Sequence, residues 1–376
     1  MMRVMVAGGG TGGHFYPGLA ILEGLRERDP DVRVAYVGTR AGIEARVLPA
    51  YSWIHFYPIH VRGFARRGRL RDLWTFLRLA IGLLETLLVL ARFRPQIVIG
   101  VGGYSSFPPV LLGALLGRVL RIRTVIHEQN VVAGLANRWL SRFVDLVLVS
   151  FPQTERSFPR ARRLAITGNP IREEFLHVKR SDGLYRRFGL DPRRRTILVF
   201  GGSKGSAEIT ERILRAVDAI RANDGLQILL VTGNDRATDT IRQELSSLGV
   251  RNIVVESYVD HMGAAFAVAD LVVCRAGATS LAEITACGKA SVLIPWRDAA
   301  ADHQRKNARM LKEEGACAVV DDTGIVEPNL VRIIANLIRD EVALDRLAEN
   351  AGRLGKRDAV ALILGEIQTM MGGARA

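Results

Sequence analysis

The chain has 376 residues, 48% hydrophobic and 24% charged, which suits about two domains of roughly 150 residues and excludes a disordered or collagen-like chain. Lys and Arg exceed Asp and Glu by 52 − 38 = 14, which favours an anionic partner: nucleic acid, an acidic membrane or a phosphorylated substrate. The three cysteines form no CxxC pair and have no His or Cys at ligand spacing, so no zinc site is expected and a reducing compartment fits.

From the N-terminus, MMRVMVAGGG lacks an apolar stretch with a small-residue cleavage site and reads as a buried strand running into glycines, not a signal peptide. Short apolar runs then alternate with helical patterns. Strands are expected at 3–7, 32–37, 97–101, 124–127 and 146–150, then at 196–200, 227–232, 253–256, 271–274 and 291–295. That alternation predicts βαβ units and parallel sheets covered on both faces. The apolar run 79–91 has thirteen residues and is interrupted by Glu85. It would reach about 20 Å as a helix. A hydrocarbon core is roughly 30 Å thick, so the run predicts a soluble or peripheral protein.

The strand–glycine loop–helix pattern at 4–13 recurs at 198–205, with the loop hydroxyls Thr11 and Ser203 separated by 203 − 11 = 192 residues. Such a period is too long for a solenoid and predicts an α/β chain of two tandem Rossmann-like doubly wound domains. The boundary is expected near 167–169, ahead of Pro170, with a last helix at about 359–371 belonging to either domain. Ligands in such sheets bind beyond the carboxyl ends of the strands, and facing crevices would make one deep cleft.

GGGTGGH at 8–14 follows the first strand. Its glycines let backbone N–H groups approach a ligand, while the next helix points its positive end at an anion. Gly8, Gly10 and Gly13 also satisfy G-x-G-x-x-G, but the second strand ends Val37-Gly38-Thr39-Arg40 without the acid that holds a ribose, which argues against NAD. Arg40 leaves NADP barely open, and a tight turn without ligand is the plain alternative. His14 follows at once. A helix N-terminus disfavours imidazolium, and neutral imidazole is what a general base needs. A purely structural hydrogen-bonding role is the alternative.

GGSKGS at 201–206 reads as a second anion loop without the Walker A spacing, with a plain turn as the alternative. CRAGATSLAE at 274–283 leaves a strand and enters a helix. Glu283, one turn in, suits vicinal hydroxyls, or is an N-terminal-turn Glu favoured by the helix dipole. Gln304 offers donor and acceptor to sugar hydroxyls. HEQN at 127–130 is not H-E-x-x-H, and Asp29-Pro30-Asp31 lies where turn residues belong, so no metal is expected from either. Arg62, Arg66, Arg67, Arg69 and Arg71 precede Trp74, Phe76 and Leu77. That combination fits an anionic membrane surface, with a solvated basic loop beside a buried helix as the alternative. Nucleic acid has only the charge in its support, since no recognition-helix, RNP or zinc-finger pattern occurs.

Taken in order, GGGTGGH, GVGGYSSFPPV, HEQN, GNPIR, GGSKGS, CRAGATSLAE and ADHQRKNA resemble the MurG family within glycosyltransferase family 28, over about residues 4–307. The resemblance implies a glycosyltransferase-B fold, two Rossmann-like domains with the active site between them. It places an acceptor and membrane-facing domain at 1–167 and a UDP-GlcNAc-binding domain at 168–358, with the helix 359–376 returning to the first. The implied reaction is inverting transfer of GlcNAc from UDP-GlcNAc to the C4 hydroxyl of MurNAc in lipid I, giving lipid II, with no cofactor and no required metal. Localisation would be peripheral, on the cytoplasmic face of the bacterial cell membrane. Further implied partners are cell-wall synthesis proteins.

The resemblance also implies residue roles. Ser203 would hold the donor diphosphate, Arg172 would sit near the nucleotide, and Val259 would offer its backbone to uracil. Glu283 would take the ribose hydroxyls. Ala278, Thr279, Ser280, Leu281 and Ala282 would line the donor with backbone groups. Gln304 and Asn130 would contact GlcNAc. Thr11, Gly12 and Gly13 would face the acceptor diphosphate and the transferred sugar, with His14 as base and Tyr104 as an acceptor-side contact. The arginine loop and the Trp74 helix would meet the membrane. Two departures stand out. Lys204 and Ser206 replace the usual Gln and Ala, and Ser105, Ser106 and Phe107 are bulkier than usual. A related enzyme with another lipid acceptor and a charge-driven nucleic-acid-binding protein are the competing functions.

Overall fold

The computed structural model describes residues 1–61, 69–203, 205–320 and 327–372, with 69–76, 219 and 327–329 as backbone only. The chain forms two units, Met1–Ile171 with Asp358–Ala376, and Arg172–Arg357.

In the first unit the strands are β1 (Arg3–Ala7), β2 (Arg33–Gly38), β3 (Ile54–Pro58), β4 (Ile97–Gly100), β5 (Arg123–Glu128), β6 (Leu146–Val149) and β7 (Leu164–Ile166). They lie in the order β3-β2-β1-β4-β5-β6-β7, all parallel. β1 shows why a continuous apolar run is required. Val4 and Val6 face a core with Phe15, Leu19 and Leu22, while Met5 and Ala7 face a second core with Leu90, Phe93 and Val110. Side chains alternate across the sheet with a period of two, so a strand covered by helices on both faces must be apolar at every position.

The helix Gly12–Arg28 covers one face together with the C-terminal helix Ala359–Gly372. Ile363, Leu364 and Ile367 of that last helix are buried in the first core. At roughly 1.5–3 kcal/mol per buried side chain they hold the C-terminus to this unit.

The second unit has β8 (Arg195–Phe200), β9 (Leu226–Val231), β10 (Ile253–Glu256), β11 (Leu271–Cys274), β12 (Ala290–Leu293) and β13 (Ala318–Val319). Their order is β10-β9-β8-β11-β12-β13, again all parallel. In both sheets the strand order therefore reverses beside the first strand, at β1/β4 and at β8/β11, where doubly wound folds place ligands.

The ten expected runs coincide with the nine interior strands and the edge strand β10. The other three sheet edges, β3, β7 and β13, were not among them. Edge strands have less cover, so β3 admits His55 and Pro58, and β7 and β13 span only three and two residues. The expected boundary at 167/168 falls inside the first unit. Thr167 N–H donates to Val149 O at 3.0 Å and His127 Nε2 to Gly168 O at 2.9 Å, which keeps this stretch tied to β5 and β6. The apolar run 79–91 is part of a longer helix, Arg69–Phe93. No described helix is long and apolar enough to cross a membrane.

Candidate active site

In the first unit the loop 8–13 leaves β1 and is clamped by its neighbours: Gly8 N–H donates to Val37 O at 3.1 Å and Val101 N–H to Ala7 O at 2.9 Å. Gly10 has φ +81°, a conformation that needs glycine. Its N–H donates to Glu44 Oε2 at 3.0 Å. Glu44 is fully buried, and its Oε1 also accepts from Thr39 N at 2.7 Å and Thr39 Oγ1 at 2.9 Å. The loop is therefore not wholly open to a ligand, since one amide holds the protein's own carboxylate. Sequence reading looked for an acid at the end of β2 and missed one in the short helix Ile43–Val47 just beyond it.

Thr11 is the N-cap residue of the helix Gly12–Arg28, with extended backbone; its C=O accepts from His14 N at 3.2 Å and Phe15 N at 3.1 Å. Thr11 and Gly13 are exposed, Gly12 is buried, and His14 is half-buried in the first turn. His14 Nδ1 lies 3.2 Å from Gln129 Oε1. Gly102 makes room for this ring: at φ +91° it has no Cβ, and one added there would come within 2.7 Å of His14 Nδ1.

Tyr104 stands exposed on the turn Tyr104–Ser106 after β4. The bulkier Ser105 and Ser106 are buried, Ser106 Oγ donating to Gly103 O at 2.9 Å, and Phe107 packs on Trp139 with ring centroids 5.6 Å apart. The HEQN segment closes β5. Glu128 is buried and organises the loop after it, accepting from Asn130 N and Nδ2 at 3.1 Å each, from Gly134 N at 3.0 Å and from Asn137 Nδ2 at 2.9 Å. Asn130 is thereby held at the carboxyl end of the sheet.

In the second unit the loop 201–206 leaves β8 and carries Ser203, half-buried. Gly205 N–H donates to Gly202 O at 2.9 Å, and Ser206 Oγ caps the helix Ala207–Arg215 by accepting from Ile209 N at 3.3 Å. Ser206 thus has a capping role that the usual Ala lacks, worth about 0.5–2 kcal/mol. Lys204 lies outside the described residues. Arg275, buried at the end of β11, supports this loop from behind. Its Nη2 donates to Ser206 Oγ at 3.1 Å and to Glu208, and its Nη1 to Ile294 O at 3.2 Å. Sequence reading gave Arg275 no role, although an Arg directly after a buried strand and before a glycine is an available signal.

The helix Ala278–Ala286 starts after Gly277. Leu281 N–H already donates to Gly277 O at 3.0 Å, so the amides an N-terminus leaves outside the helical ladder are those of Ala278, Thr279 and Ser280. The Leu281 side chain is in the core, and Ala282 is half-buried one position further along. Glu283 is buried, and its Oε1 accepts from Arg172 Nη2 at 3.2 Å. Burial pushes the Glu283 carboxyl up to about 7, against the opposing pull of the Arg172 guanidinium. Arg172 also pairs with Glu174 at 2.8 Å and lies 4.9 Å from the Phe175 ring centroid. Val259 is buried in the loop after β10. Gln304, in the helix His303–Glu313, accepts through Oε1 from Trp296 N at 2.8 Å.

The structure thus brings Thr11–His14, Tyr104 and Asn130 to the carboxyl edge of the first sheet. It places Arg172 against Glu283 in the second unit. Among the described residues no group of three or more His, Cys, Asp and Glu side chains is placed to hold a metal. The three cysteines are free thiols, and burial pushes Cys287 and Cys317 up to about 12, which favours the protonated thiol. Of the basic segment, Arg62, Arg66 and Arg67 lie outside the described residues, and Arg69, Arg71, Trp74 and Phe76 are placed only as helical backbone. Leu77 is exposed, and so are Ile81, Leu84 and Leu88 on the same helix.

Comparison with known proteins agrees with this arrangement. Residues 4–149 match the glycosyltransferase family 28 N-terminal domain and residues 196–363 the glycosyltransferase family 28 C-terminal domain. The chain is 38% identical to the UDP-N-acetylglucosamine–N-acetylmuramyl-(pentapeptide) pyrophosphoryl-undecaprenol N-acetylglucosamine transferase of Desulforudis audaxviator, over 99% of each chain. It is 41% identical to the protein of the same name from Syntrophotalea carbinolica, over 96% of this chain and 97% of that one. The crystal structure of Acinetobacter baumannii MurG superposes with a TM-score of 0.71 at 26% identity, over 98% of this chain and all of that one. With two all-parallel α/β units, both family 28 domains and relatives of this identity over almost its whole length, the chain belongs to the MurG family of glycosyltransferases and has their glycosyltransferase-B fold.

Proposed function

We propose that the protein transfers GlcNAc from UDP-GlcNAc to the C4 hydroxyl of the MurNAc unit of lipid I, releasing UDP and forming lipid II for peptidoglycan synthesis. The observation that carries this reading is the identity of 38–41% to transferases of that name over nearly the whole chain. The site geometry supports it. The acceptor oxygen attacks the anomeric carbon as the bond from that carbon to the diphosphate breaks, with inversion. The acceptor proton goes to His14, and UDP leaves with the charge of the broken bond.

On the leaving-group side, Ser203, the start of the helix Ala207–Arg215 and the amides of Ala278, Thr279 and Ser280 offer donors and positive dipole ends. Arg275 holds that loop in shape. Glu283 takes the ribose hydroxyls beside Arg172, with the Val259 backbone at uracil and Gln304 and Asn130 at the sugar. Thr11, Gly12, Gly13 and Tyr104 serve the acceptor. Fixed dipoles and cations stabilise the diphosphate without a metal ion or other cofactor.

Membrane association belongs to the same proposal, on the cytoplasmic face and without a spanning segment. Leu77, Ile81, Leu84 and Leu88 follow helical spacing along one exposed face of Arg69–Phe93, and Leu115 and Val119 of the neighbouring helix Phe107–Leu120 are exposed as well. Arg78, Arg92, Arg118 and Arg121 lie on or just beyond these helices. An apolar stripe with cations fits an anionic bilayer that carries a lipid-linked acceptor.

The test combines purified protein, UDP-GlcNAc and a short-chain lipid I analogue in excess EDTA, with UDP release and product mass as readouts. Acceptor-dependent UDP release with one added GlcNAc is expected. Donor binding without transfer would move the acceptor to another lipid class, and loss of turnover that magnesium restores would overturn the metal-free diphosphate site.

A further inference from the structure

The base assigned above raises a question that its position alone does not answer: which ring nitrogen of His14 carries the proton. Only a neutral imidazole with its lone pair on the nitrogen facing the acceptor can take a proton there. A chain of buried groups behind His14 fixes that choice.

The chain starts at a carbonyl, whose oxygen only accepts. His127 is fully buried at the end of β5, with Nε2 2.9 Å from Gly168 O, so Nε2 carries a proton. Burial lowers the His127 pKa to about 4, so the ring is neutral near pH 7 and Nδ1 is an acceptor. Gln129 Nε2 lies 3.1 Å from that Nδ1, 2.9 Å from Val101 O and 3.1 Å from His127 O. All three neighbours accept, so the Gln129 amide has one permitted orientation. A flipped amide would point its oxygen at three acceptors inside the domain, at the cost of unmade buried hydrogen bonds, about 1–3 kcal/mol each. With Nε2 so committed, Oε1 faces His14 Nδ1 at 3.2 Å. An amide oxygen only accepts, so His14 Nδ1 is the protonated nitrogen.

We infer that Gln129 is a positioning residue for the transfer reaction: oriented by His127 and two backbone carbonyls, it holds His14 in the tautomer with Nδ1–H and the lone pair on Nε2. The inference rests on the reading of His14 as base. The hydrogen bonds run in one direction, His14 to Gln129 to His127 to Gly168, and no proton passes along them. The device resembles in its logic a carboxylate that orients a catalytic histidine, but with a neutral amide as the partner. HEQN thereby divides into two tasks. Its His and Gln orient the base, while its Glu shapes the loop that carries Asn130.

The first test needs no variant. In ¹⁵N-labelled full-length protein, with His14 assigned by the loss of its signals in His14→Gln, His14 should show a pyrrole-type Nδ1 and a pyridine-type Nε2. His127 should show the opposite pattern. A protonated Nε2 on His14 would overturn the inference whatever the kinetics. The second test is Gln129→Met, similar in length but without the acceptor. It should shift His14 toward a mixture of tautomers and lower kcat about 10-fold with the donor KM unchanged, well short of the roughly 10⁴-fold that a wholly wrong tautomer can cost. An unchanged His14 spectrum in a folded Gln129→Met protein would sink the positioning role. A near-normal rate in His14→Ala would instead remove the base assignment and leave the tautomer result standing, so the two failures are distinguishable.

Discussion

The two units repeat one strand order and one device, a glycine loop beside the reversal of the sheet, yet the groups behind the loops are opposite in kind. Behind the first stand an anion and neutral amphoteric groups: Glu44 on Gly10 and Thr39, then Gln129 and His127 behind His14. Behind the second stands a guanidinium, Arg275, on Ser206 and Glu208, with Arg172 against Glu283 nearby. The difference fits the chemistry proposed for each. The base proposed for the first loop needs its lone pair aimed, and the hydrogen bonds of Gln129 and His127 behind it serve that. The diphosphate proposed for the second loop needs donors held in place, and Arg275, paired with Glu208, holds that loop through Ser206. The same backbone geometry serves either purpose, and the side chains behind the loop decide which.

The sharpest way to break this comparison is to remove the base. His14→Ala should lower kcat by about 10²–10⁴-fold while the donor KM changes little, because His14 stands on the first unit and the proposed nucleotide contacts on the second. Steady-state UDP release at saturating acceptor measures it. A loss confined to donor KM would mean that the first loop serves the nucleotide as well, and the contrast between the loops would fail.

Acid and alkali should separate the two units next. Glu283 has its carboxyl pushed up to about 7 from 4.5 by burial, so the folded second unit favours the neutral form. Its contribution to stability is complete below about pH 4.5 and is lost as pH rises through about 7. His127 is lowered from 6.5 to about 4 by burial, so its contribution is complete above about 6.5 and is lost as pH falls toward 4. Denaturant unfolding should show the second unit losing about 2–3 kcal/mol between pH 5 and pH 8, a loss that Glu283→Gln removes. The first unit should weaken in the opposite direction. Parallel pH profiles in the two units would contradict the assignment of these buried groups.

Much of this contrast was invisible in the sequence, for reasons that differ by residue. The central strands were legible because burial on both faces leaves an unbroken apolar run. The edges β3, β7 and β13 were not, because they are short or half-polar. The loops that carry Thr11, His14 and Ser203 were legible because glycine-rich stretches after a strand announce themselves. Glu44 and Gln129 were not. Each acts through a partner remote in sequence, Glu44 on Gly10 and Gln129 on His14, and nothing in local spacing reports such a contact. Arg275 was in view inside a motif, but its task depends on Ser206 and Glu208 of another loop and helix.

A smaller effect should come from Gly102→Ala. The residue has φ +91°, and an added Cβ would press on His14 Nδ1. Backbone strain of about 1–2 kcal/mol is expected in unfolding experiments. The displaced ring would lengthen its bond to Gln129, so kcat should fall several-fold beyond what the stability loss explains. A variant that loses stability but keeps its full rate would show that the His14 ring tolerates displacement.

The weakest effect on the fold, and the one that sharpens the membrane side of the comparison, belongs to the exposed leucines. Leu84 is 64% exposed and Leu88 72% exposed on the helix Arg69–Phe93, whose opposite side buries Thr86, Leu90 and Phe93. Replacing both leucines with Asp removes no core contact, so stability should stay within about 0.5 kcal/mol of wild type. Retention on anionic vesicles should nevertheless fall, because two apolar anchors are lost and two negative charges now face the lipid phosphates. The deficit should be greatest at low salt, where the added repulsion is least screened. Equal retention of the double variant and the wild type would move the membrane contact off this helix face and leave its leucines as ordinary exposed residues.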